Sequence, residues 1–292
     1  MDEAQKRSPG AADIAFTVGL VRRRQGRLDE AIAAMRKAAV GDPRNPDLWT
    51  NIGVTYRGMR EFKSAAEMLA RAQAISPNEV GVAAHHAEMY LAQGDLAAAE
   101  RVLRGQPATA GDAFYQSVSC LLYRRQFDDA LEALRKVLEE PRNQPESFYA
   151  DVRGWMGELL VARGDSARGR PLLEQSRREL LALRNAGNTS FTILDALILT
   201  NAALGDREEV EREGTELRQR TQRDSWRAPT TEEVIARAYA ILGDADGAIP
   251  LIAKVLSVPY RRSLTPAVLR LDPAWDKIRN DPRFQKLAEG KP

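Results

Sequence analysis

The chain has 292 residues, of which 43% are hydrophobic and 29% are charged, a composition typical of a folded protein that faces water. Its 43 basic and 41 acidic side chains leave a formal net charge of only +2, which argues against a general polyanion-binding role. The single cysteine excludes an internal disulfide framework, and no run approaches the roughly 18 apolar residues of a membrane span. No signal-peptide pattern opens the chain, so we expect a cytoplasmic protein.

After a polar tail at residues 1–11, the sequence predicts a series of helical hairpins. The pattern is most complete in residues 45–78, where large and small apolar residues recur at fixed intervals. These residues are Trp49, Ile52, Gly53, Tyr56, Ala65, Leu69, Ala72 and Pro77. Their spacing resembles the tetratricopeptide repeat, a helix–turn–helix unit of about 34 residues. One unit cannot bury its own apolar face, so neighbouring units are expected to stack into a solenoid.

The turns inside the hairpins share a chemistry that extends the pattern along the chain. Glycine recurs at the turn position, and aspartate follows it in all but the first case; the glycines are Gly26, Gly94, Gly164, Gly205 and Gly243. Glycine can end a helix in the left-handed conformation, and aspartate can cap the helix that follows. Two further turns are predicted near Arg60 and Arg125, where the glycine is missing. The sequence therefore predicts seven hairpins, at about 12–45, 46–79, 80–110, 111–144, 150–187, 191–224 and 229–260.

The hairpins differ in how well they match the repeat. We expect three well-matched repeats at 12–110 and four degenerate ones at 111–260, separated at 104–111, 141–147 and 224–230 by loops rich in helix-stopping residues. Gly169 and Val210 replace the small alanine where two helices approach, which predicts looser or differently spaced packing. No stretch has the alternation of an amphipathic strand. The predicted class is all-α, a right-handed superhelical solenoid of stacked antiparallel helix pairs with a C-terminal cap at 261–292.

The predicted cap carries the most distinctive motif of the chain. In SLTPAVLRLDPAWDKIRNDPRF, residues 263–284, three prolines allow only short helical pieces, and the apolar residues between them can cover the last repeat. Together with VRRRQGRLDEAIAAMRKAAVGDPRNPDLW at 21–49, this segment resembles the C-terminal repeat region of bacterial signalling proteins. Those proteins carry a serine/threonine kinase, a class III adenylate cyclase or a winged-helix regulator at the N-terminus. The resemblance implies a regulatory or scaffolding arm and no activity.

The sequence shows no catalytic or metal-binding pattern. His85 and His86 are adjacent on one predicted helix, where successive side chains point about 100° apart and cannot chelate one ion well. Cys120 lies in the apolar stretch SVSCLLY without a basic neighbour to activate it, so we expect a buried thiol. No phosphate-binding glycine loop or nucleophile elbow is present. We therefore expect no enzyme activity, no cofactor and no bound metal.

The tetratricopeptide resemblance implies that the first helix of each hairpin lines a concave groove. The residues that this places in a partner-binding groove are Arg23, Arg24, Thr50, Asn51, Arg57, Glu88, Tyr115, Leu122 and Tyr123. Arginine and tyrosine are enriched among the residues that dominate protein interfaces. A peptide or helix with an acidic end and an apolar body would fit this groove.

Two functions from different classes remain open at this stage. The favoured one is a protein- or peptide-binding scaffold, and the alternative is a small-ligand sensor arm that relays a change to an attached output domain. The arginine pairs are spread along the chain without an aromatic platform, so we expect no nucleic-acid partner. The first repeat has no predicted cap on its outer side, and self-association could occur there.

Overall fold

The chain folds into consecutive helices joined by short turns. The computed structural model describes residues 10–106, 111–140 and 143–290. The helices are α1 Ala11–Arg24, α2 Leu28–Gly41, α3 Pro46–Gly58, α4 Phe62–Ile75, α5 Val80–Gln93, α6 Leu96–Leu103, α7 Gly111–Tyr123, α8 Phe127–Glu139, α9 Glu146–Ala162, α10 Ser166–Asn185, α11 Phe191–Leu204, α12 Arg207–Thr221, α13 Ala228–Leu242, α14 Ala245–Leu256, α15 Pro266–Leu271, a 3₁₀ helix Pro273–Ile278 and α16 Pro282–Ala288. The described residues include no strand, and the predicted all-α class of helical repeats is confirmed.

Some of the predicted segments fall on residues that the structure does not describe. These are residues 1–9 of the polar tail, residues 107–110 and 141–142 of two predicted loops, and residues 291–292 at the end of the predicted cap.

The turns have the predicted geometry. The glycines at positions 26, 94, 164, 205 and 243 all have positive φ, between 77° and 88°. The aspartates that follow cap the next helix: Asp95 accepts from the backbone N–H of Ala98, and Asp244 accepts from that of Gly247. A glycine in this conformation carries no Cβ penalty, and the carboxylate satisfies an N–H that the helix leaves free. Local chemistry alone therefore determines where these hairpins turn.

Close helix approach within the hairpins depends on small residues. A Cβ on Gly53 would lie 2.8 Å from Leu69 Cγ, and a Cβ on Gly157 would lie 2.8 Å from Leu173 Cγ. At Gly169 we expected looser or differently spaced packing, and the helices are spaced more closely there. A Cβ there would lie 2.7 Å from the carbonyl oxygen of Gly157, so α9 and α10 approach each other too closely for an alanine at this position.

The described residues form two compact units, each made of several chain segments. The first contains residues up to 116 together with 221–230 and 255–264, and the second contains 117–220, 231–254 and the residues from 265 onwards. In the first unit, Met35, Ala38 and Ala39 of α2 pack with Leu48 and Ile52 of α3. In the second, buried residues of α11, α12 and α13 form one cluster; they are Leu194, Ile198, Ala202, Val210, Leu217, Val234 and Ala238.

The C-terminal segment forms three short helices, as the prolines predict. Each of them begins with proline directly after a capping residue: Thr265, Asp272 and Asp281 accept hydrogen bonds from backbone N–H groups of α15, the 3₁₀ helix and α16. Trp275 is fully buried, and the guanidinium of Arg237 from α13 lies 5.0 Å from the centre of its ring. The segment therefore packs against α13, and its role as a cap stays a prediction.

Candidate functional site

Arg23 in the last turn of α1 is held by three polar contacts and an aromatic ring. Its Nη1 donates to Thr55 Oγ1 at 3.2 Å and more weakly to the Asn51 carbonyl at 3.5 Å. Its Nη2 donates to Asn51 Oδ1 at 3.2 Å, and its guanidinium carbon lies 5.1 Å from the centre of the Trp226 ring. Both Asn51 and Thr55 are on α3, so this arginine joins the first helices of the first two hairpins.

The loop before α13 brings Trp226 to this position. Asp224 accepts from the backbone N–H of Trp226 at 3.0 Å, which shapes the loop as a turn. The backbone N–H of Ser225 donates to the Arg24 carbonyl at 2.8 Å, and the Asp224 carboxylate lies 3.6 Å from Arg24 Nε. A Cβ on Gly58 would lie only 2.2 Å from Trp226 Cη2, so the indole packs directly against the end of α3.

Arg57 lies at the centre of the polar contacts in the first unit. Its side chain is 1% exposed, and its Nη1 lies 2.5 Å from the carboxylate of Glu88 on α5. Its Nη2 donates to the Arg261 carbonyl at 2.7 Å, and His85 Nδ1 is 3.5 Å from Nη1. A buried guanidinium needs such partners, because an unpaired charge away from water is costly.

Residues 258–264 form main-chain contacts with the end of α3. The backbone N–H of Tyr260 donates to the Gly58 carbonyl at 3.2 Å, and Ser263 Oγ donates to the Arg57 carbonyl at 2.9 Å. Tyr260 and Ser263 are both fully buried. The end of α3 is thus covered by this segment of the chain.

Arg60 fastens the same segment from the turn after α3. It takes the left-handed conformation with φ of 62°, which glycine occupies in the other turns of this type. Its guanidinium donates to the carbonyls of Val258 at 3.0 Å, Val255 at 2.9 Å and Leu264 at 3.1 Å. These bonds to main-chain oxygens offset the backbone strain of a non-glycine residue at this position.

Positive charge is in excess around Arg23. Burial, followed by the charges of Arg261 and Arg24, lowers the pKa of Arg23 to about 10. Burial also lowers the pKa of Arg57, although Glu88 opposes this. Burial alone would raise the pKa of Glu88, but the charge of Arg57 and the bond with His85 lower it to about 2. The carboxylate of Glu88 is therefore ionised and committed to Arg57.

The other predicted groove residues of the first unit are placed less favourably for a partner. Thr50 is 9% exposed, and its hydroxyl donates to the Pro46 carbonyl within its own helix. Tyr115 is half-buried and packs edge-to-face with Phe114. Arg24, by contrast, has a side chain that is 73% exposed. The proposed partner contacts of these residues stay a prediction.

Leu122 and Tyr123 belong to the second unit and are not part of the Arg23 cluster. Leu122 is 5% exposed. The Tyr123 hydroxyl donates to Asp272 Oδ2 at 3.4 Å, and burial together with the charge of Asp272 raises the pKa of Tyr123 well above its usual range. Asp272 also lies 2.7 Å from Arg237, which is 3.1 Å from Glu233. Tyr123 therefore takes part in attaching the C-terminal segment within this unit.

Several residues at this site are absent from the sequence-based prediction. Trp226, Tyr260 and Arg261 lie in segments whose sequences signal only loops or helix ends, so repeat register could not assign them to a groove. Arg60 carried a usable signal, since a residue other than glycine at a left-handed turn position implies a compensating contact. From the sequence we predicted the turn near Arg60 but no contact of its side chain.

The surroundings of the histidines and the cysteine can be described individually. The described residues contain no group of three or more histidine, cysteine, aspartate or glutamate side chains that could hold an ion. His86 stacks on Tyr90 with ring centres 5.3 Å apart, and its Nδ1 is 3.1 Å from Gln73 Oε1. Burial lowers the pKa of His86, as suits a packed side chain. Cys120 is buried, as predicted.

Within the described parts of the chain, no helix combines the length and the apolar character that crossing a membrane requires.

Comparison with protein families finds a match in the N-terminal part of the chain. Residues 22–79 match the tetratricopeptide repeat family, and this range lies within the first two predicted repeats, at 12–79. Among curated proteins, no sequence matches the chain significantly. The chain is similar in structure to PilF of Pseudomonas aeruginosa, with 20% identity, a TM-score of 0.45, and coverage of 72% of this chain and 91% of that one.

Two further solved structures are similar to the chain. PilW, described as a type IV pilus biogenesis factor, is 15% identical with a TM-score of 0.45, and the match covers 73% of this chain and 94% of that one. A tetratricopeptide repeat protein from Parabacteroides merdae is 15% identical with a TM-score of 0.33, covering 96% and 98%. TM-scores below 0.5 do not extend the likeness to function.

Proposed function

We propose that this chain is a non-catalytic scaffold that binds a protein partner and serves as an interaction arm of a bacterial signalling system. The tetratricopeptide match at residues 22–79 supports the scaffold function, because proteins of this repeat class act through their surfaces. The signalling setting rests on the resemblance of the segment 263–284 to the repeat arms of bacterial kinases, cyclases and winged-helix regulators. The small-ligand alternative has no comparable observation in its favour.

The observation that carries the proposal is an exposed apolar surface on the first hairpin. Ile14 is 68% exposed, Val18 is 41% exposed and Val21 is 48% exposed. Ile14 and Val18 line a shallow groove together with Ala11 and Ala15 of α1 and with Ala34 and Lys37 of α2, and we call this groove the N-terminal edge. Contiguous exposed apolar residues of this kind mark interaction surfaces.

The register of the repeat indicates what this edge is suited to contact. One repeat further along the chain, Ile14 and Val18 correspond to Leu48 and Ile52, which are 2% and 0% exposed. Those residues pack on Met35 of the preceding helix α2. The N-terminal edge therefore has the side chains that receive the apolar face of another helix, and we propose that the partner presents an amphipathic helix to it.

A matched pair of substitutions tests this proposal. Val18→Glu places a charge in the N-terminal edge, whereas Val40→Glu makes the same change at a residue that is 80% exposed. The repeat equivalent of Val40 is Ala74, which is also exposed, so this position does not face a neighbouring helix. Partner capture from a native lysate should fall about tenfold or more with Val18→Glu and stay unchanged with Val40→Glu.

Sedimentation velocity of the same proteins shows whether a second copy of the chain or a different protein docks on the N-terminal edge. If a second copy of the chain docks on the N-terminal edge, the wild type and Val40→Glu should self-associate, and Val18→Glu should be monomeric. A wild type that is monomeric and captures a partner through Val18 supports a different protein. Equal capture by all three proteins would contradict docking at this edge.

A further inference from the structure

The arginines around Trp226 form a surface whose charge is not balanced. Arg23, Arg24, Arg57 and Arg261 lie together, and among the described residues only Arg24 and Arg57 have a carboxylate within 4 Å, Asp224 and Glu88 respectively, so two of the four positive charges are uncompensated. Glu88 is committed to the buried Arg57 at 2.5 Å. Among the described residues, no carboxylate lies within 4 Å of the guanidinium of Arg23 or of Arg261.

Arg23 is preorganised by the contacts that hold it. Asn51 and Thr55 accept from its two terminal nitrogens, and the Trp226 ring lies 5.1 Å from its guanidinium carbon. All of these partners are neutral, so they orient the charge without cancelling it. A fixed cation of this kind loses little conformational entropy when an anion binds.

Arg261 supplies a second charge that can reach a ligand. Its main-chain carbonyl is anchored by Arg57 Nη2 at 2.7 Å, and its backbone neighbour Tyr260 donates to the Gly58 carbonyl. Its side chain, however, is exposed, and within the described residues it has no hydrogen-bond or ion-pair partner. The backbone is therefore held in place while the guanidinium stays available.

The amount of charge indicates the kind of anion. Two uncompensated charges match one or two carboxylates, whereas a nucleic acid presents a long row of phosphates and requires a longer basic stripe. Arginine also matches a carboxylate in geometry, because its planar fork can bind both oxygens. We propose that Arg23, Arg24 and Arg261 form an anion site that binds the carboxylates of an acidic peptide segment. This inference rests on the proposed scaffold function, since the segment would belong to the partner protein.

Fluorescence anisotropy with short labelled peptides tests the site directly. Hexaglutamate should bind the full chain, and hexaglutamine and hexalysine should not. Binding should weaken steeply as sodium chloride is raised, because exposed charges are screened. Arg261→Gln should weaken hexaglutamate binding about fivefold or more, since only the side chain is changed and the carbonyl that Arg57 uses is retained.

Arg44→Gln is the matched control. Arg44 lies in the connection between α2 and α3, is exposed, and has no partner among the described residues. The same loss of charge there should leave hexaglutamate binding unchanged, and unaltered thermal melting of both variants would show that the fold is intact. If Arg261→Gln and Arg44→Gln weakened hexaglutamate binding equally, binding would depend only on the net charge of the protein. The proposed site would then be overturned.

Competition with inorganic phosphate separates the peptide from a free anion. A phosphate affinity equal to that of hexaglutamate would overturn the peptide assignment, and a much weaker phosphate affinity would support it. The assay contains no partner protein, so its failure is distinct from failure of the proposed function. If peptide binding depends on Arg261 while Val18→Glu captures the partner as well as the wild type does, the anion site would be supported. Docking at the N-terminal edge would then be contradicted.

Discussion

The two units of the molecule each enclose an arginine, and they compensate its charge differently. In the first unit, Arg57 has one carboxylate, Glu88, while Arg23 and Arg261 add positive charge nearby. In the second, Arg237 lies 2.7 Å from Asp272 and 3.1 Å from Glu233. The pKa of Arg57 is accordingly lowered, with burial as the main cause, whereas the carboxylates around Arg237 outweigh its burial and raise its pKa.

The difference separates a structural network from one that can still take an anion. Arg237 also lies under the Trp275 ring, and its carboxylate partner Asp272 caps the 3₁₀ helix, so its contacts fasten the C-terminal segment. Carboxylates of the same unit compensate the positive charge of Arg237. The positive charge around Arg23 is only partly compensated, and for this reason we assign the proposed binding role to the first unit.

The largest expected effect comes from removing Arg57 or Arg237. Arg237→Ala takes the guanidinium away from two nearly buried carboxylates, Asp272 and Glu233, and should lower the free energy of unfolding by about 3–5 kcal/mol. Arg57→Ala should cost less, about 2–3 kcal/mol, because it strands one carboxylate and relieves repulsion from Arg23 and Arg261. Urea unfolding followed by circular dichroism measures both values. If the two substitutions lowered the free energy of unfolding equally, the charge imbalance around Arg57 would not affect stability.

A second comparison uses glycines on which side chains pack. A Cβ on Gly58 would lie 2.2 Å from Trp226 and 2.6 Å from the Tyr260 carbonyl, so Gly58→Ala should displace both segments and cost about 1–3 kcal/mol. A Cβ on Gly214 would meet only the end of Ile235, at 3.2 Å, and alanine favours the helix. Gly214→Ala should therefore be neutral or stabilising in thermal melts. A neutral Gly58→Ala would mean that residues 221–230 and 255–264 do not pack on α3.

The two turns with arginine in place of glycine give a smaller effect of opposite sign. Arg60 and Arg125 both have φ of 62°, so glycine should relieve about 1 kcal/mol of backbone strain at either position. Arg60→Gly also loses the bonds to three carbonyls and should be destabilising by about 1–2 kcal/mol in total. Arg125→Gly loses an exposed pair with Asp276 and should be neutral or slightly stabilising.

Chemical denaturation of the two glycine variants side by side measures this difference. Equal stability changes in Arg60→Gly and Arg125→Gly would argue that Arg60 does not hold residues 255–264 in solution.

The helical hairpins could be predicted because their signals are local. Gly94 followed by Asp95 contains the turn and the cap within two residues, and the prolines of the C-terminal segment fix the short helices in the same way. Those features depend on main-chain conformation and on neighbours a few residues away. Sequence register was sufficient to locate them.

The candidate site could not be predicted in the same way, because its contacts join distant parts of the chain. Trp226 and Tyr260 pack on Gly58, and nothing in their local sequence encodes that partner. Arg57 was predicted to be a groove anchor, yet its side chain is 1% exposed because residues 258–264 cover it. At Gly169 the sequence predicted looser or differently spaced packing but did not indicate that the helices would be closer. Glycine at a helix crossing permits a closer approach as readily as it leaves a gap.

The smallest expected effect compares the pH dependence of two glutamates. Burial is the main cause that raises the pKa of Glu158 in the second unit to about 7; Asp272 and Asp151 add to the shift, and Arg237 and Lys277 oppose it. An unfolded glutamate ionises near pH 4.5. Between these values the folded state holds more protons than the unfolded state, so the Glu158 contribution to stability falls as the pH rises. Glu158→Gln should therefore gain stability relative to wild type between about pH 4.5 and pH 7 and keep that gain above pH 7.

Glu88 in the first unit should show the opposite sign. Its pKa is lowered to about 2, so its contribution is fully present above about pH 4.5 and is lost as the pH falls towards 2. Glu88→Gln should accordingly be less stable than wild type at pH 7, with a difference that shrinks in acid. Urea midpoints of the two variants and the wild type at pH 4, 5.5, 7 and 8 measure both trends. If Glu158→Gln showed no gain between pH 5.5 and pH 8, the Glu158 carboxylate would be solvated, and the polar cluster of the second unit would be open to water.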